Sequence, residues 1–325
     1  MPLWSGDRRP ARLTGPPKLI VRPKTSWFRM LFAWQGTVQN TILLPLAIIL
    51  GLSLLALWGQ QQNPYFFLRL SPVPFSLIGV ALAIFASFRN NACYERYWEG
   101  RKLWGVLTGT TRYVVRFAVT VPGLSRSHPQ VHRVVDLLAA FIHTLKHQLR
   151  GTDPTEALTG LLGREQAFVV AGRAYRTQYL LTLLQDRFVS WRDEGRLSDV
   201  MLAAGLDQLD ALAAAAGGCE RIRSTPVPYA YEVLLHRTTY FYCALLPFGL
   251  VESTGWATPI VAVFISYAFL ALHIIAGELE DPFGQDANDL PLDALSTHIE
   301  RAMREAVGDQ ALAPVPAPDA RYRLG

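Results

Sequence analysis

Between Ser71 and Gly105 the chain reads SPVPFSLIGVALAIFASFRNNACYERYWEGRKLWG. Two prolines open it, and Pro74 falls in the first turn of a helix capped near Ser71, where a missing N–H is tolerated. Phe75 to Phe88 carries no charged residue. Arg89, Asn90 and Asn91 follow, then Tyr94, Arg96, Trp98, Arg101 and Trp104, with no proline to stop the helix. The reading is one long helix, half in an apolar medium and half out of it. Gly79, Ala81, Ala83, Ala86 and Ser87 let backbones approach closely, the usual device for helix contacts in a bilayer. Val80, Ile84 and Phe88 recur at i, i+4 and i+8 and lie along one stripe. Spacing alone fits plain core packing, because apolar stripes at helical period mostly face a core.

The rest of the chain supports a membrane setting. Half of the 325 residues are hydrophobic and only 18% are charged, against about a quarter in soluble domains. With a mean hydropathy of +0.18, this favours a membrane protein with a sizeable soluble part. Cys93, Cys219 and Cys243 are far apart and form no CxxC, which excludes a disulfide frame and points to a reduced compartment. The net charge of +5 comes with no basic run interleaved with aromatics, so no nucleic-acid partner is expected. A positive excess facing the membrane accounts for it.

Four spans emerge. Thr41 to Trp58 is uncharged and close to the roughly 20 residues that cross a hydrocarbon core. Pro74 to Phe88 is the second, Tyr229 to Val251 the third, and Trp256 to Ala276 the fourth, apolar except for His273. The last two are joined by a few residues and must be antiparallel neighbours. The chain therefore divides into a disordered cytoplasmic arm (1–25), an interfacial helix with the first two spans (26–91), a cytoplasmic helical domain (92–228), spans three and four (229–276), an acidic turn and helix (277–308), and a disordered tail (309–325). Within 92–228 helices are expected over Val131–Leu149, Thr155–Leu162, Glu165–Gln185 and Leu197–Ala216, with no period-two stretch long enough for a sheet. Ser296–Val307 is a last amphipathic helix. Residues 26–38 suit a helix at the membrane surface or one docked on the soluble part. Arginine and lysine crowd the arm and the segment after Phe88, while the short loops on the other side hold only Arg69. Both termini and the soluble bulk are thus expected in the cytoplasm, as in a multi-pass inner-membrane protein.

Candidate chemistry is sparse. His143 and His147 stand at i, i+4, a spacing that can grip a metal, but no HExxH carboxylate and no third ligand accompany them. No phosphate loop, nucleophile elbow or Cys/His/Asn arrangement is present, so an enzyme is not expected. Glu232, His236 and Arg237 fall near the cytoplasmic end of the third span, where a salt bridge or snorkelling is the cheaper account than a functional site. The acidic stretch from Glu278 to Asp289 offers oxygen ligands for a hard cation without the spacing of an EF-hand loop.

Two motifs point to a family. RNNACYERYWEGRKLWG resembles the signature helix of the bestrophins, and EDPFGQDANDLPLD resembles their Pro-Phe-Gly segment; the likeness runs from about Lys18 to Arg304. The resemblance implies an all-α, pentameric ion channel in the lipid bilayer, four spans per subunit, with a cytoplasmic helical bundle. It places Val80, Ile84 and Phe88 as the apolar rings of the pore neck, and Met201, with Val200 the alternative, at a cytoplasmic aperture. It also places a calcium clasp on Glu278, Asp281, Asp286 and Asp289. Ala287 and Asn288 interrupt the aspartate run of that clasp, so no calcium cofactor is expected. The compact chain resembles the bacterial branch, which implies monovalent cations such as sodium. A chloride channel is the alternative, and a secondary transporter or a membrane scaffold stands as a rival class, although no broken helices or inverted repeats are visible.

Overall fold

The structure, a computed structural model, describes Phe28 and residues 39–62, 71–286, 288–310 and 312–314. The expected N-terminal arm, the interfacial helix at 26–38 apart from Phe28, the loop with Arg69, Ala287 and most of the tail lie outside the described residues. Among the described residues the regular structure is helical throughout. The helices are α1 (Gln39–Gln62), α2 (Pro72–Thr120), α3 (Pro129–Arg150), α4 (Thr155–Leu162), α5 (Arg164–Ala171), α6 (Arg176–Asp193), α7 (Asp199–Ser224), α8 (Tyr229–Thr254), α9 (Thr258–Glu280) and α10 (Leu292–Val307).

The long helix is α2. Ser71 caps it by accepting from the Val73 N–H, and Pro72 and Pro74 fill the first turn, where their missing donors are tolerated. It runs 49 residues, about 73 Å at the α-helical rise. That length takes it through two separate apolar cores. Leu82 belongs to the first, with Ile42 and Ile49 of α1, Leu235 and Leu246 of α8, and Ala262 and Leu270 of α9. Trp104, Leu107, Val114 and Val115 belong to the second, shared with α3, α6, α7 and α10.

The first core is the membrane layer. The stretch 229–280 is apolar and would be one helix but for a break at Gly255, whose φ of +52° opens a 3-10 turn over Gly255–Ala257. Glycine takes that conformation without the steric cost of a Cβ, and α8 and α9 fold back on each other. Two glycines let α8 lie close on α2. A Cβ at Gly249 would sit 2.5 Å from the Phe75 ring, and one at Gly79 would sit 2.7 Å from the Tyr242 hydroxyl. Four segments, α1, α2, α7 and 229–280, are long and apolar enough to cross a membrane. We assign α7 to the bundle, because Leu209, Leu212, Cys219 and Ile222 are buried in the second core. Ala215 and Ala216 are buried there as well.

The second core follows the expected α3 face: Val134, Val135, Leu138, Ile142 and Leu145 are fully buried. Three boundaries differ. The single helix expected over Glu165–Gln185 is two, α5 and α6, because the chain turns at Gly172 and Arg176 Nε donates back to the Ala171 carbonyl. Helix α7 continues past Ala216 to Ser224, and α10 begins at Leu292.

Charge pairs tie α3 to α10. Lys146 and Arg150 both bind Asp293, at 2.7 and 2.6 Å, and Arg304 reaches Asp136 and Glu300 at 3.1 and 2.9 Å. Burial alone would raise the Glu300 carboxyl, but hydrogen bonds from His143 and Arg304 hold it down at about 2. Burial, with Lys146, His143 and Arg150 nearby, pushes His147 down to about 4. Both groups bind fewer protons folded than unfolded, so both favour the fold at neutral pH. The His147 contribution is complete above the ordinary histidine value near 6.5 and is lost as pH falls from there towards 4. The Glu300 contribution is lost lower, between its ordinary value near 4.5 and 2. The thermal midpoint of the detergent-solubilised protein is expected to fall by several degrees from about pH 7 to about pH 4. His147→Asn should flatten the upper part of that fall; an unchanged profile would remove His147 as its source.

Candidate functional site

The stripe on α2 is not part of the subunit core. Val80, Ile84 and Phe88 are 62%, 50% and 61% exposed. At 100° per residue they lie on the side of α2 opposite Leu82, Arg89, Cys93, Gly100 and Trp104, which are buried. Core packing within one chain, which the spacing alone would favour, is therefore corrected for these three positions. The same side continues through Asn91, Glu95, Trp98 and Lys102, all exposed. Around the stripe α2 is nearly bare: only 11% of its most apolar stretch is covered within the subunit. An apolar membrane helix so exposed, with small residues along it, has room for other helices or other subunits.

The lower end of the stripe is held by a cluster of polar contacts centred on Arg89. Arg89, 3% exposed and next to Phe88, donates from Nη1 to the His273 carbonyl at 3.1 Å and lies 3.2 Å from His273 Nδ1. Its Nη2 reaches Glu280 at 3.3 Å and Glu232 at 3.6 Å. Two turns further on, Arg96 Nε donates to the Glu280 carbonyl at 3.0 Å, and its Nη2 donates to the Ile222 carbonyl. The Tyr231 hydroxyl donates to the Phe85 carbonyl at 3.0 Å. Helices α8 and α9 thus grip α2 on both sides of Phe88. The salt-bridge account of Glu232 holds in part, with Arg89 as the partner. His236 departs from it and faces His273, with ring nitrogens 3.1 Å apart. Sequence reading missed Arg89 as the hub; its one signal was a charge at the boundary of an uncharged run.

The two motifs meet. Phe283 of the Pro-Phe-Gly turn is fully buried and lies on Gly100 of α2, where a Cβ would stand 3.1 Å from two ring atoms. Around it two acidic side chains accept hydrogen bonds from neighbours in the turn. The Asn288 amide donates to Glu278 at 2.6 Å, and the Asp286 N–H donates to Asp289 at 2.7 Å. Burial, together with the charges of Asp286, Asp281 and Glu278, pushes the Asp289 carboxyl up to about 6. Among the described residues no group of three His, Cys, Asp or Glu side chains converges as a metal site. Of Glu278, Asp281, Asp286 and Asp289, Glu278 and Asp289 accept hydrogen bonds within the turn, while Asp289 Oδ1 is buried with no hydrogen-bond partner. His143 and His147 do not share a ligand position either: His143 lies on Glu300 at 2.9 Å and His147 on the Thr152 hydroxyl at 2.7 Å. Neighbours on α10 and the α3–α4 turn claim the nitrogens that a metal would need. Val200 and Met201, 76% and 44% exposed, stand in the first turn of α7 after the Ser198 cap, far along the chain from the stripe.

Comparison with known proteins gives a consistent answer. The model of the Bacterial/Fungal Bestrophin protein family matches residues 19–305. A protein of Ralstonia nicotianae named a voltage-dependent anion channel-forming protein is 45% identical over 294 residues, spanning 90% of this chain and 96% of its own. One of the same name from Escherichia coli K12 is 38% identical over 307 residues, covering 94% of this chain and all of that one. The crystal structure of a bestrophin homologue from Klebsiella pneumoniae superposes with a TM-score of 0.80 at 42% identity, over 83% of this chain and all of that one.

Proposed function

The chain belongs to the bacterial and fungal bestrophin family, and from that premise we propose that it is a pentameric ion channel with Val80, Ile84 and Phe88 ringing the neck of its pore. The observation that carries this reading is the stripe itself: three apolar side chains, on an apolar helix, turned away from their own subunit. Rings of such residues offer an ion nothing in place of its water, so a narrow neck holds ions back by dewetting and passes them when it widens. Met201 in the exposed first turn of α7 serves as the second constriction. Membership of this family and the channel-named relatives support a channel and not an enzyme.

The relatives' names carry selectivity as well, and they say anion. They support chloride-like anions over the sodium preference implied by the compact chain, and anion passage is the selectivity proposed. One observation favours cations as a second reading. Below Phe88 the exposed side of α2 presents Glu95 before Lys102, and a carboxylate ring attracts cations where a lysine ring attracts anions. Current through a bilayer with asymmetric sodium chloride separates the two. A reversal potential near that of chloride is expected, and one near sodium would install the second reading. Purified protein that carries no current at all would leave a scaffold.

Assembly and orientation have their own test. The detergent-solubilised particle should have a protein mass near five times the 36.2 kDa subunit. Cysteines introduced at Gln61 and Ser253 should react with an impermeant reagent from outside, and those at Ser125 and Ser198 only after permeabilisation. A conducting monomer, or outside labelling at position 198, would overturn this arrangement of the pore.

A further inference from the structure

The Arg89 hub has one feature that plain anchoring does not need. A guanidinium can only donate, so the His273 Nδ1 that faces Arg89 Nη1 at 3.2 Å must accept. Its proton then sits on Nε2, which points at His236 Nδ1 at 3.1 Å. A lone pair must receive it there as well, so His236 is protonated on its far nitrogen. His236 is exposed, His273 half-buried and Arg89 buried. The three form a line of fixed donor direction from the outside of α8 to the backbone beside Phe88.

We propose that Arg89 is a positioning residue for the Phe88 ring, and that the His236–His273 pair makes its hold proton-dependent. A proton added to His273 must enter at Nδ1, the one ring nitrogen that carries none. That turns an acceptor into a donor facing the Arg89 N–H groups and sets two cations side by side. The guanidinium then loses its bond to the ring and is pushed off the His273 carbonyl. The other groups around the pair do not cancel this. Glu232 on α8 and Glu280 on α9 are already engaged with Arg89. Tyr240 lies tilted against His236 with ring centroids 4.5 Å apart, and Arg237 on the same helix adds positive charge. Cys93 of α2 is a buried free thiol. With Arg89 loosened, the Tyr231 tie to Phe85 above Phe88 and the Arg96 ties two turns below it remain. The neck then widens at its lower ring.

The proposal rests on the channel reading, and proteoliposome recordings keep the two apart. For the wild-type pentamer, lowering the pH from about 7.5 to about 4 is expected to raise open probability by about fivefold or more with single-channel conductance little changed. His273→Asn keeps an acceptor for Arg89 and cannot take up a proton in this range, so it should remove the pH response. His236→Gln, which breaks only the outer link, should weaken or shift it. Assembly of each variant is checked by its mass in detergent. A wild-type open probability independent of pH overturns the proposal, as does an intact His273→Asn pentamer with the full response. Wild-type liposomes silent at every pH would overturn the channel reading itself.

Discussion

Phe283→Ala is expected to destabilise the protein by about 3–5 kcal/mol, the usual cost of removing a fully buried ring. The ring has no exposed surface and shares the bundle core with Leu290, Leu292 and Leu295. Its turn is closed by the Leu290 N–H donating to the Pro282 carbonyl at 2.9 Å. Losing the ring detaches the segment that carries the chain from α9 into α10, and α10 holds α3 through Asp293 and Arg304. Gly100→Ala attacks the same contact from the other side, since its new methyl would press on the ring from 3.1 Å. Alone it should cost about 1–3 kcal/mol by overpacking, and in the Phe283→Ala background that cost should disappear. Thermal unfolding of the detergent-solubilised variants measures both. A Phe283→Ala protein that melts with the wild type would mean that the turn does not hold the bundle. Additive single and double effects would mean that Gly100 and Phe283 do not meet.

That contact shows what a sequence can reveal and what it cannot. Both motifs were legible as strings, and so was each helix whose face repeats cleanly, such as Val134 to Leu145 on α3. Helix α2 was legible because its apolar run, its cap and its polar continuation are all local. The pairing of Phe283 with Gly100 was not, because nothing local says where a buried ring will land. The Arg89 hub failed for the same reason: His273 is 184 residues away and Glu280 191. His143 and His147 illustrate the opposite error. Their spacing is real, but Glu300 and Thr152 decide what they bind, and only the fold brings Glu300 to His143. The split between α5 and α6 rests on a single Gly172 with no proline beside it, too weak a break to read from the string.

At the neck, Ile84→Ala and Phe88→Ala are expected to raise current severalfold, as single-channel conductance, open probability or both. On the proposed pore reading, each substitution removes an apolar ring from a passage where ions stop because water does not stay. A wider ring holds water and lowers that barrier. The structure sharpens the contrast with packing. Within the subunit the three side chains cover no core, so their truncation leaves no internal cavity, and the about 2–5 kcal/mol such a cavity costs should be absent. Any loss of stability must then come from contacts between subunits, where it appears as a weaker pentamer with no gain in current. Leu82→Ala, on the buried side of the same helix, supplies the comparison: it should lower the thermal midpoint and leave the conductance of surviving pentamers close to wild type. The mutant rings stay uncharged, so the reversal potential should move less than the conductance. If Ile84→Ala and Phe88→Ala instead behave like Leu82→Ala, less stable and no more conductive, the pore does not run along this stripe.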